Sequence, residues 1–130
     1  MTMTPSNQAD TYDIFVYGTL RQTGDYHRLY LRYSPCLHTY YLLFGYALYD
    51  YQGLYPFMVP EIGASVVGEV YRVNEAVKAA LDEFEDVSEG LYKFVYLAEH
   101  QFYTYVKFDP YVADMPRVPY GDWLTYCSTE

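Results

Sequence analysis

The sequence predicts an α+β domain with five or six strands and one main helix. Two observations carry this. Short apolar or alternating runs, rich in Val, Ile, Phe and Tyr, recur between Gly and Pro breaks. A single stretch, 75–85, carries an apolar stripe at helical spacing. Apolar residues make up 52% of the 130, which supports a packed core and argues against wholesale disorder.

Residues 14–17, Ile-Phe-Val-Tyr, form a short apolar run with β-branched members and read as a buried strand. Gly18 ends that strand and Gly24 punctuates the next stretch. Asp25 is placed to cap a short helix through about 33, with Leu29 one turn from Arg32 or Tyr33, and Pro35 stops it. Residues 40–49 read as a strand broken near Gly45. Residues 51–60 contain Gly53, Pro56 and Pro60 and read as loop. Residues 66–73 form the next strand, in which Gly68 marks a bulge or the close approach of another backbone.

The clearest helix runs over 75–85. Asn74 is a suitable N-cap and Glu75 suits the positive end of the helix dipole. Val77, Ala80, Leu81 and Phe84 share one face. Residues 92–99 and 102–108 alternate as two antiparallel strands around a short turn at His100 and Gln101. From Asp109 onward, Pro110, Pro116 and Pro119 predict mostly irregular chain. Residues 1–11 read as a flexible tail and residues 12–130 as a single domain.

The formal charge of −9 disfavours nucleic acid, whose phosphates need clustered Lys and Arg. No stretch approaches the roughly 20 apolar residues of a membrane span. Residues 1–10 lack the apolar centre of a signal peptide, so the expected location is the cytoplasm. Cys36 and Cys127 do not make a disulfide framework. His27, His38 and His100 have no metal-ligand spacing. The 19 tyrosines suit a half-buried pleated surface, with a few left over to line a cavity. Oligomeric state is not legible.

Two segments carry chemistry. The first is Tyr17-Gly18-Thr19-Leu20-Arg21, where a strand breaks into Gly-Thr. Gly18 permits backbone conformations closed to other residues, and successive N–H groups leading toward a helix start make a nest for an anion such as a carboxylate. Read on its own, the same turn is more simply a tight strand end with no ligand. The second segment is the helix end at Glu85, on the border of the Val77–Leu81–Phe84 stripe. The negative end of the dipole and partial burial both raise a carboxyl pKa there, toward a value that suits a general base. Asp82 and Glu83 read as solvated helix surface.

Taken with Tyr92, with Gly45-Tyr46-Ala47-Leu48-Tyr49, with Val66-Val67-Gly68-Glu69-Val70-Tyr71 and with Gly121-Asp122-Trp123, these segments resemble the γ-glutamylcyclotransferase-like superfamily. The compact, AIG2-like branch that includes γ-glutamylamine cyclotransferases is the most similar. The resemblance implies a small mixed β-barrel with a cavity at one end. It implies that Tyr17, Gly18, Thr19 and Leu20 hold the glutamyl end of a small γ-glutamyl substrate. Glu85 matches the acid/base, and Tyr92 and Tyr105 match tyrosines near the substrate. The implied reaction releases 5-oxoproline by intramolecular aminolysis and needs no cofactor. Asp86 stands where relatives carry a small residue, and Lys93 where they often carry Arg. The rival reading is a non-catalytic domain that binds a small metabolite or a partner and retains the family cavity.

Overall fold

Strand β1 (Thr11–Val16) lies in the middle of a five-stranded sheet. The computed structural model describes residues 11–85, 90, 92–107 and 112–128. The expectations placed on residues 1–10, on Asp86 and on 108–111 fall outside the described residues. The other strands are β2 (Cys36–Tyr51), β3 (Tyr55–Asn74), β4 (Tyr92–Leu97) and β5 (Phe102–Lys107), in the order β2-β3-β1-β5-β4. β1 runs antiparallel to β3 and parallel to β5, so the sheet is mixed. Its central place explains the unbroken apolar run. Ile14 and Val16 pack into one core with Leu31, Val73 and Leu81. Phe15 and Tyr17 pack into a second with Leu48, Val66, Val70 and Trp123. A strand covered on both faces has no polar face to show.

The architecture is α+β, as expected, but the barrel is not closed. β2 and β4 are the two edges, and among the described residues no ladder joins them. Side chains of β2 do reach the β4–β5 hairpin: the Tyr41 hydroxyl meets His100 Nδ1, in the turn between β4 and β5, at 2.8 Å, and its ring lies edge-on to Phe102 of β5. Among the described residues, no helix is long and apolar enough to cross a membrane.

Gly45 sits at φ +91° where the β2–β3 register shifts, which is the expected break. A Cβ on Gly68 would lie 2.3 Å from the Val16 carbonyl oxygen and 2.5 Å from the Phe15 ring, so its glycine serves close packing. Residues 51–60 are not a loop. Tyr51 ends β2, and 55–60 pair with 46–51 across a three-residue turn. β1 pairs with β3 only from Glu69 onward, so 55–60 have an open second edge. Pro56 and Pro60 are tolerated there because that edge demands no N–H.

The main helix, α2 (Glu75–Phe84), starts as expected: the Asn74 side chain accepts from the Val77 N–H at 2.9 Å. Leu81 is its one fully buried side chain and anchors it to the sheet. The first helix, α1 (His27–Tyr30), is a single turn with no side-chain cap, so Asp25 does not cap it. Leu31 is buried while Leu29 and Tyr33 are exposed, the reverse of the expected stripe. A one-turn helix has no face to repeat; what orients it is a loop that folds back through Tyr26 N–H to the Thr19 carbonyl at 3.0 Å. The tail is less irregular than the prolines suggest. A single 3₁₀ turn (Pro119–Gly121) leads into α3 (Trp123–Ser128), whose Trp123 is buried in the second core.

Candidate active site

A cavity of about 410 Å³ opens where the end of β1, the end of α2 and the start of β3 meet. Its size suits a small metabolite. The floor is buried: Phe15, Val16, Tyr17, Leu20, Tyr92 and Tyr105 are each under 10% exposed. The walls hold Gly18, Thr19 and Glu85. Every residue expected at the site (Tyr17, Gly18, Thr19, Leu20, Glu85, Tyr92 and Tyr105) therefore lines one space.

The turn after β1 owes its form to its carbonyls. The Gly18 carbonyl accepts from the Arg21 N–H at 3.1 Å, and that of Thr19 from the Tyr26 N–H. The Leu20 carbonyl accepts from His27 Nδ1 at 3.0 Å. With its carbonyls tied into the loop, the turn leaves the N–H groups of Thr19 and Leu20 with no acceptor among the described residues. That is the electrostatic character of an anion nest. Two expectations need correction. Gly18 does not adopt a left-handed backbone. A Cβ there would make an ordinary 3.4 Å contact with Pro56 on the cavity wall. The nest also does not open a helix, since α1 begins only at His27.

Behind the turn lies an ionic cluster that sequence reasoning missed. Arg21 Nε donates to Glu69 Oε2 at 3.2 Å and its Nη1 to Asp122 Oδ1 at 2.9 Å. Glu69 Oε1 accepts from the Gln22 N–H and the Tyr71 hydroxyl. Burial alone would raise the Asp122 carboxyl; hydrogen bonds from Arg21 and the Thr125 N–H outweigh it and hold the carboxyl below its usual range. Gly24 completes the support: a Cβ there would lie 2.3 Å from the Thr19 carbonyl oxygen.

Glu85 is the C-cap of α2, one residue beyond its last turn, and its N–H reaches the Leu81 carbonyl at 2.9 Å. It is half-buried, as its border position implies. Among the described lining residues it is the one carboxylate. Three tyrosines feel its charge. Burial, then the neighbouring Tyr92 and Glu85, push the Tyr17 phenol far above the ordinary value. Burial first, then Glu85, raises Tyr92 in the same direction. For Tyr105 burial leads, followed by the hydrogen bond to Asp82 and the charges of Asp82 and Glu85. All three phenols stay neutral across physiological pH.

Their protons are already spoken for. Tyr17 donates to the Tyr105 carbonyl, Tyr92 to the Pro56 carbonyl at 3.3 Å, and Tyr105 to Asp82 Oδ1 at 2.7 Å. Each oxygen retains lone-pair capacity, so these hydroxyls can still accept from a substrate N–H. Asp82 is thus not the solvated surface group that its helix position suggested. It anchors Tyr105 with one oxygen and Lys78 with the other, at 2.7 Å each. A Tyr on one strand and an Asp on a distant helix carry no shared sequence signal. Glu83 does lie exposed, as expected.

The cavity thus offers unpaired N–H groups at the turn, and a carboxylate with neutral phenol oxygens around the rest of its wall. The model for the γ-glutamyl cyclotransferase, AIG2-like family matches residues 14–125. The chain belongs to that family. One family relative, from Vibrio cholerae and named "Putative gamma-glutamylcyclotransferase", is 49% identical over 74 residues. That match spans 57% of this chain and 62% of the relative, under two thirds of its length. Among solved structures, the Escherichia coli protein ytfP is 33% identical, with 86% of this chain and 96% of that one covered and a TM-score of 0.66. An uncharacterized Pyrococcus horikoshii protein is 26% identical, with 86% and 89% covered and a TM-score of 0.69. A mouse AIG2-like protein, at 23% identity, 82% and 85% coverage and a TM-score of 0.63, shares the fold.

Proposed function

We propose that this protein is a γ-glutamylcyclotransferase-type enzyme that releases 5-oxoproline and a free amine or amino acid from a γ-glutamyl amide. The supporting observation is that Glu85 and the Gly18–Thr19–Leu20 turn, distant in sequence, line one cavity of metabolite size. A γ-glutamyl group is a zwitterion at its α-carbon, and the cavity has a matching division. The α-carboxylate takes the N–H groups of Thr19 and Leu20. The α-ammonium takes Glu85 and the oxygens of Tyr17, Tyr92 and Tyr105.

Glu85 then removes a proton from the ammonium. The nitrogen lone pair attacks the γ-carbonyl carbon, and a tetrahedral intermediate forms. As it collapses, the ring nitrogen sheds its second proton and the bond to the amide nitrogen breaks; Glu85 returns its proton to that nitrogen, and the departing amine takes up the second proton as its ammonium. One C–N bond forms and one breaks, with no change of oxidation state. Nucleophile and carbonyl already share a molecule, so the site has only to fold them together. Such alignment is worth effective molarities on the order of 10⁵ M or more, and the base a further ~10²–10⁴-fold.

Glu85→Gln is the direct test. The variant keeps its melting temperature, because the side chain is half-buried and its own N–H closes the helix. It loses about 10²–10⁴-fold in 5-oxoproline release, read by mass spectrometry. Undiminished release would remove Glu85 from the chemistry. Saturable binding of γ-glutamyl amides without any lactam from the unaltered protein would favour a non-catalytic binding domain.

A further inference from the structure

A second hollow, of about 440 Å³, lies where the α1 segment faces the junction of β3 with α2. It shares no described lining residue with the reaction cavity. Its floor is apolar. Val73 is buried, Tyr30 and Val77 are half-buried, and the Phe84 ring braces Tyr30 at 4.9 Å between centroids. Leu29 also lines the hollow, yet it is 72% exposed. An apolar body laid on these side chains takes their surface and its own out of water.

The wall is positive. Arg28, Arg32 and Arg72 are three of the eight Lys and Arg in a chain of formal charge −9, and no described lining residue is Asp or Glu. The three differ in what already holds them. Arg72 donates from Nε and Nη2 to Asp13, at 2.8 and 3.1 Å, which leaves Nη1 outside the pair. Its backbone N–H donates to the Pro35 carbonyl at 2.9 Å and ties β3 to the chain that follows α1. Arg32 lies over the Tyr33 ring, 5.0 Å from its centroid. A contact through the guanidinium face leaves the N–H edge available. Arg28 pairs with no carboxylate among the described residues. It stands four positions before Arg32, a spacing at which like charges on a helical turn repel. Thr11 lines the hollow too, and residues 1–10 hold one carboxylate, Asp10, against these two arginines. An anion between the forks relieves the repulsion that remains.

We propose that the hollow bounded by Arg28, Arg32 and Arg72 is a second ligand site, and that it takes a small phosphate monoester with an apolar or aryl body. A phosphate monoester carries close to two charges and three strong acceptor oxygens, enough to meet guanidinium forks from both walls. A carboxylate brings one charge and two oxygens. The apolar floor receives the rest of the molecule. The site is independent of the ring-closing reading above.

Isothermal calorimetry with three probes tests it. Phenyl phosphate has both the dianion and the ring. Glucose 6-phosphate keeps the dianion on a hydroxylated body. Benzoate keeps the ring with a single charge. Phenyl phosphate is expected to bind saturably with a Kd below about 1 mM. It should bind at least about tenfold tighter than either of the others. No saturable binding up to about 10 mM overturns the site. Glucose 6-phosphate binding as tightly overturns the apolar floor, and benzoate doing so overturns the phosphate.

The variant R28Q/R32Q removes two charges from exposed positions. Its melting temperature should stay unchanged while phenyl phosphate affinity falls at least about tenfold, the scale of charge-assisted hydrogen bonds. Unaltered affinity would put the ligand elsewhere and overturn the assignment. Amide chemical shifts locate phenyl phosphate in the unaltered protein, whatever the variant does. Changes are expected at 28–34 and 72–74. Changes confined to 17–20 would place the probe in the reaction cavity and overturn the second site. Neither measurement reads 5-oxoproline, so failure here and failure of the ring-closing reading are separate results.

Discussion

Substituting Gly24 by alanine tests whether the loop behind β1 shapes the site. A Cβ on Gly24 would lie 2.3 Å from the Thr19 carbonyl oxygen, 2.7 Å from its carbon and 2.8 Å from the Arg21 carbonyl oxygen. All three are backbone atoms, so no side chain can swing aside. Cβ contacts under 3.0 Å are essentially not tolerated, so the Thr19 carbonyl must retreat by about 0.7 Å. That movement strains the 3.0 Å bond from the Tyr26 N–H and carries the neighbouring N–H groups with it. Overpacking of this kind costs about 1–3 kcal/mol. For a domain of this size that lowers the melting temperature by about 4–12 °C. A displacement near 1 Å in a substrate cradle costs up to about 10²-fold in rate. Gly18→Ala is the contrast for stability, since its Cβ meets Pro56 at an ordinary 3.4 Å. Its melting temperature should stay within about 2 °C. Differential scanning calorimetry and 5-oxoproline release read the two effects. A Gly24→Ala protein with unchanged melting temperature and unchanged kcat/KM would refute the claim that this contact positions the cradle.

Two further outcomes are expected. Asp82→Ala takes the acceptor from the Tyr105 hydroxyl, at a cost of about 1–3 kcal/mol. In a Tyr105→Phe background most of that loss should vanish, so strictly additive losses in a double-mutant cycle would uncouple the pair. The second concerns alkali. Tyr17, Tyr92 and Tyr105 have folded-state values raised above the 10.0 of a free phenol. Stability from keeping them neutral is fully present below pH 10 and is lost as pH climbs through the raised values. Tyrosinate absorbance should therefore appear in two stages, with these three ionising only as the fold opens. A single stage near pH 10 with the fold intact would contradict their burial.

What was legible lay in local pattern. The Ile14–Phe15–Val16 run, the Asn74 cap and the apolar stripe of α2 each compress a strand or helix rule into a few residues, and each appears as read. Gly45 and Gly68 announced a bulge and a close approach, because glycine is kept where a side chain would clash or a backbone must turn. The misreadings share one cause. Pro56 and Pro60 signalled loop because the open edge of β3 that accommodates them depends on where β1 stops pairing. The stripe through Leu29 and Tyr33 fails because a one-turn helix takes its orientation from Thr19 and Tyr26 rather than from its own periodicity. Asp82 read as solvent-facing because its partner, Tyr105, comes from a strand 23 positions on.

By itself, then, the sequence settled the cores of most strands, the main helix, the position of Glu85 at that helix's border and, through ordered short motifs, the family likeness. Only the folded chain decided that the sheet stays open between β2 and β4. The same holds for the support of the turn by the Arg21–Glu69–Asp122 cluster, and for the use of the tyrosine protons inside the protein. Tyr26, Leu54 and Phe84, too, share one cavity lining only because three separate parts of the chain meet there. Helix and strand preferences act over a few residues and are written in neighbours. Burial and charge act between groups that only packing brings within reach.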